Sequence, residues 1–246
     1  MIVEPLSHDV LRALAAQGGD GSVTMPFNST AFAFNAALGV GNFFIRNNTW
    51  RQGGCHGIYT GQQNGLIEGN TFDRTAYPAL ALVGMIRTER WFIGPTASNI
   101  IVRNNSMLGC NTAPRAAATI YAGAGYDPHG GALPMWSTAY PAVQKVLVEG
   151  NTIKDSALQA IAVFGAGNVS VVNNRLVDND RQHSLPGRVG FGSLYVDNSS
   201  AVNISYNTQS FAKADHPFET ALYVQTNSTK DVVVEGDVGF QVLFFD

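Results

Sequence analysis

The chain has 246 residues, of which 13% are charged and 45% hydrophobic, and its formal net charge is −3. That length suits one large domain with a substantial core, and with only four lysines and no basic run the chain lacks the electrostatic footprint that a phosphate backbone demands. Nucleic acid is therefore not an expected partner, and no apolar run is long enough to predict a membrane span.

Residues 1–30 read as an N-terminal cap segment. Within it SHDVLRALAAQGG predicts a short helix with Ser7 as its N-cap and Gly18 as its stop. A helix there would cover the open end of a sheet, which otherwise invites edge-to-edge pairing. AFAFNA, residues 31–36, fits a strand of a partial coil ahead of the main repeat. MIVEPLSHDV has neither the basic start nor the apolar block of a secretory signal.

From residue 43 onward one pattern returns: FFIRNNTW, LIEGNTF, IIVRNNSM, VLVEGNTI, VSVVNNRL, VNISYNT and the degenerate VVVEGDV. Its anchors are Asn48, Asn70, Asn105, Asn151, Asn174, Asn207 and Asp237, spaced 22, 35, 46, 23, 33 and 30 residues apart. The shortest interval is the basic unit, and the longer ones carry insertions. Apolar residues three and five before each anchor, such as Val102 and Ile100 or Val148 and Val146, define an inward face by their alternation. Two before the first four anchors stand Arg46, Glu68, Arg103 and Glu149, whose alternating charge predicts a cross-strand ion-pair ladder if the copies stack in register, and the column then continues Val172, Ser205 and Glu235. Asn suits a sharp turn because it tolerates left-handed backbone, and stacked Asn side chains can bond along the stacking axis. A second apolar strand follows each of the first six anchors: GIYTG, ALALV, TIYAG, AIAVF, SLYVD and ALYVQ.

This pattern resembles the right-handed parallel β-helix, or pectin-lyase-like, superfamily, over about residues 30–238. The resemblance implies an all-β solenoid of about seven coils: one domain over 1–246, with the cap over 1–30 and coils over 31–246. Loop insertions fall at 84–98, 112–141, 179–192 and 209–220. A shorter stretch, GGCHGIYTGQQNGLIEGNTF with the WFIGP insertion and NIIVRNNSMLGC, is similar to glycoside hydrolase family 110 α-galactosidase-like proteins. The polygalacturonase motifs and the acidic calcium cluster of pectate lyases are not found.

In that superfamily the ligand groove commonly runs along the outward face of the second strand. Here that column holds Tyr59, Ala81, Tyr121, Ala162, Tyr195 and Tyr223, aromatic rings that could stack on sugar rings or simply suit a β surface. The insertions would wall the groove with Trp91, Asp127 and His129 among others. Glycosidic cleavage needs two carboxylates flanking the bond. Asp155 and Asp178 each lie four residues past an anchor and would sit one rung apart, although Asp is also an ordinary turn residue there.

The expectation is a glycoside hydrolase acting on an oligosaccharide or polysaccharide through Asp127, Asp155 and Asp178, with Tyr59, Trp91, Tyr121, His129 and Tyr195 binding substrate. No metal and no cofactor is expected. A non-catalytic glycan-binding or adhesin-like module is the alternative, and a lyase or epimerase the third. Seven Asn-X-Ser/Thr sequons suit an extracellular or cell-surface protein, although an Asn-rich repeat followed by Thr or Ser generates sequons by itself. Cys55 and Cys110 follow anchors two coils apart, beyond disulfide reach, and are expected to be free, mostly buried thiols.

Overall fold

No coil of this repeat can bury its apolar face alone, so each strand must find its partner one repeat away. The computed structural model describes residues 42–83, 86–87, 92–93, 96–113, 118–123, 141–179, 192–211, 221–226 and 228–245. The helix expected near Ser7 and the strand expected at 31–36 lie outside them.

Three parallel sheets carry the described chain, each visited in turn as the backbone winds. The first stacks Phe43–Arg46, Gln63–Glu68, Ser98–Arg103, Val143–Glu149, Ala166–Val172, Ser200–Ser205 and Lys230–Glu235. The second stacks six three-residue strands, from Thr49–Arg51 to Thr208–Ser210. The third runs from Ile58–Thr60 through Leu80–Val83, Ala118–Gly123, Gln159–Phe164, Leu194–Asp197 and Ala221–Gln225 to Gln241–Phe245. This is an all-β arrangement that fits a parallel β-helix. The 84–98 insertion contributes a small antiparallel pair, Ile86–Arg87 with Phe92–Ile93.

The inward columns form one continuous core from Ile58, Ile67 and Phe72 to Ile204, Leu222 and Val224. Trp50 stacks on Phe72 in the next coil, ring centroids 4.6 Å apart. Gly65 is inward because the Phe43 ring of the preceding coil fills its place; a Cβ there would lie 2.0 Å from that ring. Toward the C-terminal end Val232, Val234, Phe240 and Val242 are only partly buried.

The anchors form an unbroken column. Asn48, Asn70, Asn105, Asn151 and Asn174 each donate a main-chain N–H and an Nδ2 hydrogen to the Oδ1 of the next anchor, and Asn207 does the same to Asp237. From Asn70 onward each Nδ2 also reaches back to a main-chain carbonyl of the preceding coil, those of Ile45, Ile67, Val102, Val148 and Val171. Buried amides that would otherwise be costly orphans are thereby satisfied.

The left-handed residue is not the anchor but the one before it: Asn47, Gly69, Asn104, Gly150, Asn173, Tyr206 and Gly236 all have φ between 55° and 65°. The reason is a division of labour, since the anchor's side chain must point into the column while its predecessor makes the bend. Asn and Gly alternate here because a Cβ at Gly69 or Gly150 would meet Oδ1 of Asn47 or Asn104, at 2.6 and 2.8 Å. A second left-handed file, Asn64, Asn99, Lys145, Asn168, Ala201 and Asp231, falls near the start of the first-sheet strands, where the register skips one residue. Lys145 and Ala201 have no preference for that conformation, so the stacked coils impose it.

The charge ladder forms in part. Glu68 binds Arg46 at 3.2 Å and Arg103 at 2.6 Å. Glu149 stands opposite Arg103 in register, yet among the described residues it makes no ion pair. Glu68 already engages the Arg103 Nε.

Candidate functional site

Four residues past each of the first five anchors the chain turns again, and Gln52, Arg74, Gly109, Asp155 and Asp178 all adopt left-handed backbone, with φ from 49° to 59°. Here an open depression of about 740 Å³ is lined by Asp73, Arg74, Leu108, Gly109, Thr112, Asp155 and Ala157. Asp73 ends one second-sheet strand and Leu108 and Lys154 occupy the same position on the next two. Arg74 grips the Asp73 carboxylate with Nε at 2.9 Å and an NH2 nitrogen at 2.8 Å. That hydrogen bond holds the Asp73 carboxyl below its ordinary range.

Asp155 borders this depression and is half-buried, whereas Asp178, one rung on, is 1% exposed. The main-chain N–H of Asp155 donates to the Val177 carbonyl at 3.0 Å, and that of Asp178 to Ser210 at 3.1 Å. The two are thus brought into adjacent rungs, but only Asp155 faces open space. Just inside this corner, Ser156 donates its N–H to Asn179 Oδ1, whose Nδ2 reaches the Ile153 carbonyl. Cys110 occupies the comparable place two coils earlier, with its thiol on the Phe72 and Leu108 carbonyls. Both cysteines are free; Cys55 is half-buried and Cys110 buried.

The tyrosine column lies on the outward face of the third sheet. In register it runs Tyr59, Ala81, Tyr121, Ala162, Tyr195, Tyr223 and Leu243. These side chains make a second apolar cluster, separate from the core, and Tyr121 and Tyr195 are only 5% and 8% exposed. Tyr59 is half-buried and meets the His56 ring edge-on at 4.9 Å, while Tyr77 stacks on the same imidazole at 5.3 Å. Burial lowers His56 to about 4 and raises Tyr59 to about 12, so both are neutral near pH 7.

A polar group absent from the expected set joins this column. The Tyr195 hydroxyl donates to Asp197 Oδ2 at 2.8 Å, and Ser228 bonds Asp197 Oδ1. Burial, and then the Asp197 charge, push the Tyr195 phenol well above its ordinary value. The signal was present in SLYVD, since residues two apart on a strand share a face. Tyr195 and Tyr223 rings lie 5.7 Å apart.

Asp127, His129 and Trp91 lie outside the described residues. Among the described residues no cluster of three or more His, Cys, Asp or Glu side chains could hold a metal ion, and no helix is long and apolar enough to cross a membrane. No protein-family model matches the chain, and no curated protein matches it.

Proposed function

We propose that the protein is a carbohydrate-active member of the right-handed, pectin-lyase-like β-helix superfamily, working outside the cell as a glycoside hydrolase on an oligosaccharide or polysaccharide. The observation that carries this reading is the second-corner depression, where Asp73 and Asp155 sit on coils two rungs apart with Arg74 beside them. Two rungs of parallel stacking separate backbones by about 10 Å. That separation is of the order of the wider of the two carboxylate spacings, which leaves room for a water between substrate and base. In this reading Asp73, kept ionised by Arg74, is the candidate to draw a proton from that water. Asp155 supplies the proton to the glycosidic oxygen, and Asp127 remains the candidate from the 112–141 insertion. Asp178, buried behind Asp155, positions the corner without touching sugar.

Product release from a panel of neutral and acidic oligosaccharides tests the proposal. Asp155→Asn and Asp73→Asn should each lower turnover by about 10²-fold or more, the usual contribution of a positioned acid or base. Unchanged turnover in both would remove this site from the chemistry.

A second reading, a non-catalytic glycan-binding module, is favoured by the bidentate grip of Arg74 on Asp73, which presents a settled charged pair suited to hydroxyl groups. It predicts saturable glycan binding, weakened by Arg74→Ala, with no product formed.

A further inference from the structure

The outward face of the first sheet has no role in the site above, and its residues are ordered unlike those of an indifferent surface. One column, in register across four rungs, is Phe44, Leu66, Ile101 and Leu147, all apolar. Phe44 is 67% exposed and the other three are partly exposed. Beside it, two residues further along each strand, runs Arg46, Glu68, Arg103 and Glu149.

Read in the opposite direction, the charged column becomes Glu, Arg, Glu, Arg. It is therefore complementary to itself under reversal. A twofold axis lying in the interface and parallel to the strands reverses rung order while keeping strand direction, so each column meets its own copy. With the axis between the second and third rungs, Arg46 faces Glu149 of a second copy, Glu68 faces Arg103, Phe44 faces Leu147, and Leu66 faces Ile101. A twofold along the stacking axis would instead set charges against the apolar column. Only the first arrangement satisfies both columns at once, and it is isologous, as a closed dimer requires.

We propose that this face is a self-association surface on which two copies of the chain stack sheet to sheet about that axis. The intrachain contacts leave the needed groups in place: Glu68 is shared by Arg46 and Arg103, and Glu149 makes no ion pair among the described residues. Four rungs span only about 15 Å, so the contact is smaller than that of an obligate dimer. It forms and dissociates with concentration.

Sedimentation or light scattering of the full chain over a wide concentration range tests it. The mass should rise from 26.3 kDa toward about twice that value. Arg46→Glu and Glu149→Arg should each weaken association by roughly tenfold or more, because each sets like charges together across the axis twice. The double variant should recover most of the wild-type association. That recovery cannot arise within one copy, where the two residues are three rungs, about 14 Å, apart. Phe44→Asp, at a position 67% exposed, should abolish association while leaving the β-sheet circular dichroism unchanged. A constant monomer mass, single variants that associate like wild type, or a double variant that stays monomeric would each overturn the proposal.

Discussion

Asn105 donates both its main-chain N–H and its Nδ2 to the one Oδ1 of Asn151, at 3.0 and 2.9 Å, while the same Nδ2 reaches the Ile67 carbonyl at 3.0 Å. A single buried amide thus ties three successive coils. Asn105→Ala strips the Nδ2 donor from Ile67 and Asn151 and the Oδ1 acceptor from Asn70. Leaving such buried groups unmet should cost about 2–4 kcal/mol, read as a lowered urea midpoint. An exposed neighbour changed without loss of its left-handed backbone, as in Asn104→Gly, should shift the midpoint far less.

Asp237 closes the same column. Its Oδ1 accepts from Asn207, but its Oδ2 is buried and has no hydrogen-bond partner among the described residues. Desolvation outweighs the Asn207 bonds and raises its pKa above the ordinary carboxyl value. With the folded pKa raised, the native state holds the proton more tightly than the unfolded chain does. The contribution to stability is therefore complete below the ordinary Asp value of 3.8 and declines as pH climbs through the raised one. Asp237→Asn supplies an amide that never ionises, so it should stabilise the protein at pH 7 by about 1 kcal/mol. Thermal melts at pH 7 and pH 3 should show a gain that shrinks on acidification.

Gly65 and the Phe43 ring occupy one space. Gly65→Ala should destabilise by about 1–3 kcal/mol, the usual cost of overpacking. In a Phe43→Leu background the same change should cost clearly less, since the smaller side chain vacates part of the volume. A double-mutant cycle by chemical denaturation measures that coupling; additive effects would contradict the packing described.

The two thiols differ in access. Cys110 is 1% exposed and its thiol is pushed up by burial, which suppresses the reactive thiolate. Cys55 is half-buried, with its sulfur 3.5 Å from His56 Nδ1. A thiol reagent should label Cys55 in the native protein and reach Cys110 only after denaturation, giving one fast and one unfolding-limited phase.

The stacking register was legible because Asn is chemically singular in this chain: the spacings of 22, 35 and 46 residues that separate the anchors in sequence are those that separate the hydrogen-bonded pairs. The inward columns followed from simple alternation. Which residue bends left-handed was not legible, since in Asn47-Asn48 and Asn104-Asn105 both members favour that conformation and only the column decides between them. Lys145 and Ala201 could not have been chosen at all, because stacking overrides their local preference.

At the site, Asp155 and Asp178 hold equivalent places in the repeat, and sequence alone gives no ground for separating them. The structure buries one and leaves the other beside open space. The pairing of Asp73 with Arg74 was hidden for a different reason, since adjacent residues on an ordinary strand point apart. Here Arg74 lies in the left-handed turn that swings its guanidinium back onto Asp73.

Every rung of the amide column passes its two donors forward, from the earlier coil to the later, so the column has a sense of direction. Asp237 receives that pair and has no side-chain amide of its own to hand on. Coils of this chain are consequently not interchangeable bricks. Duplicating an interior coil would lengthen the column without a break, whereas moving the Asp237 coil inward would cut it in two.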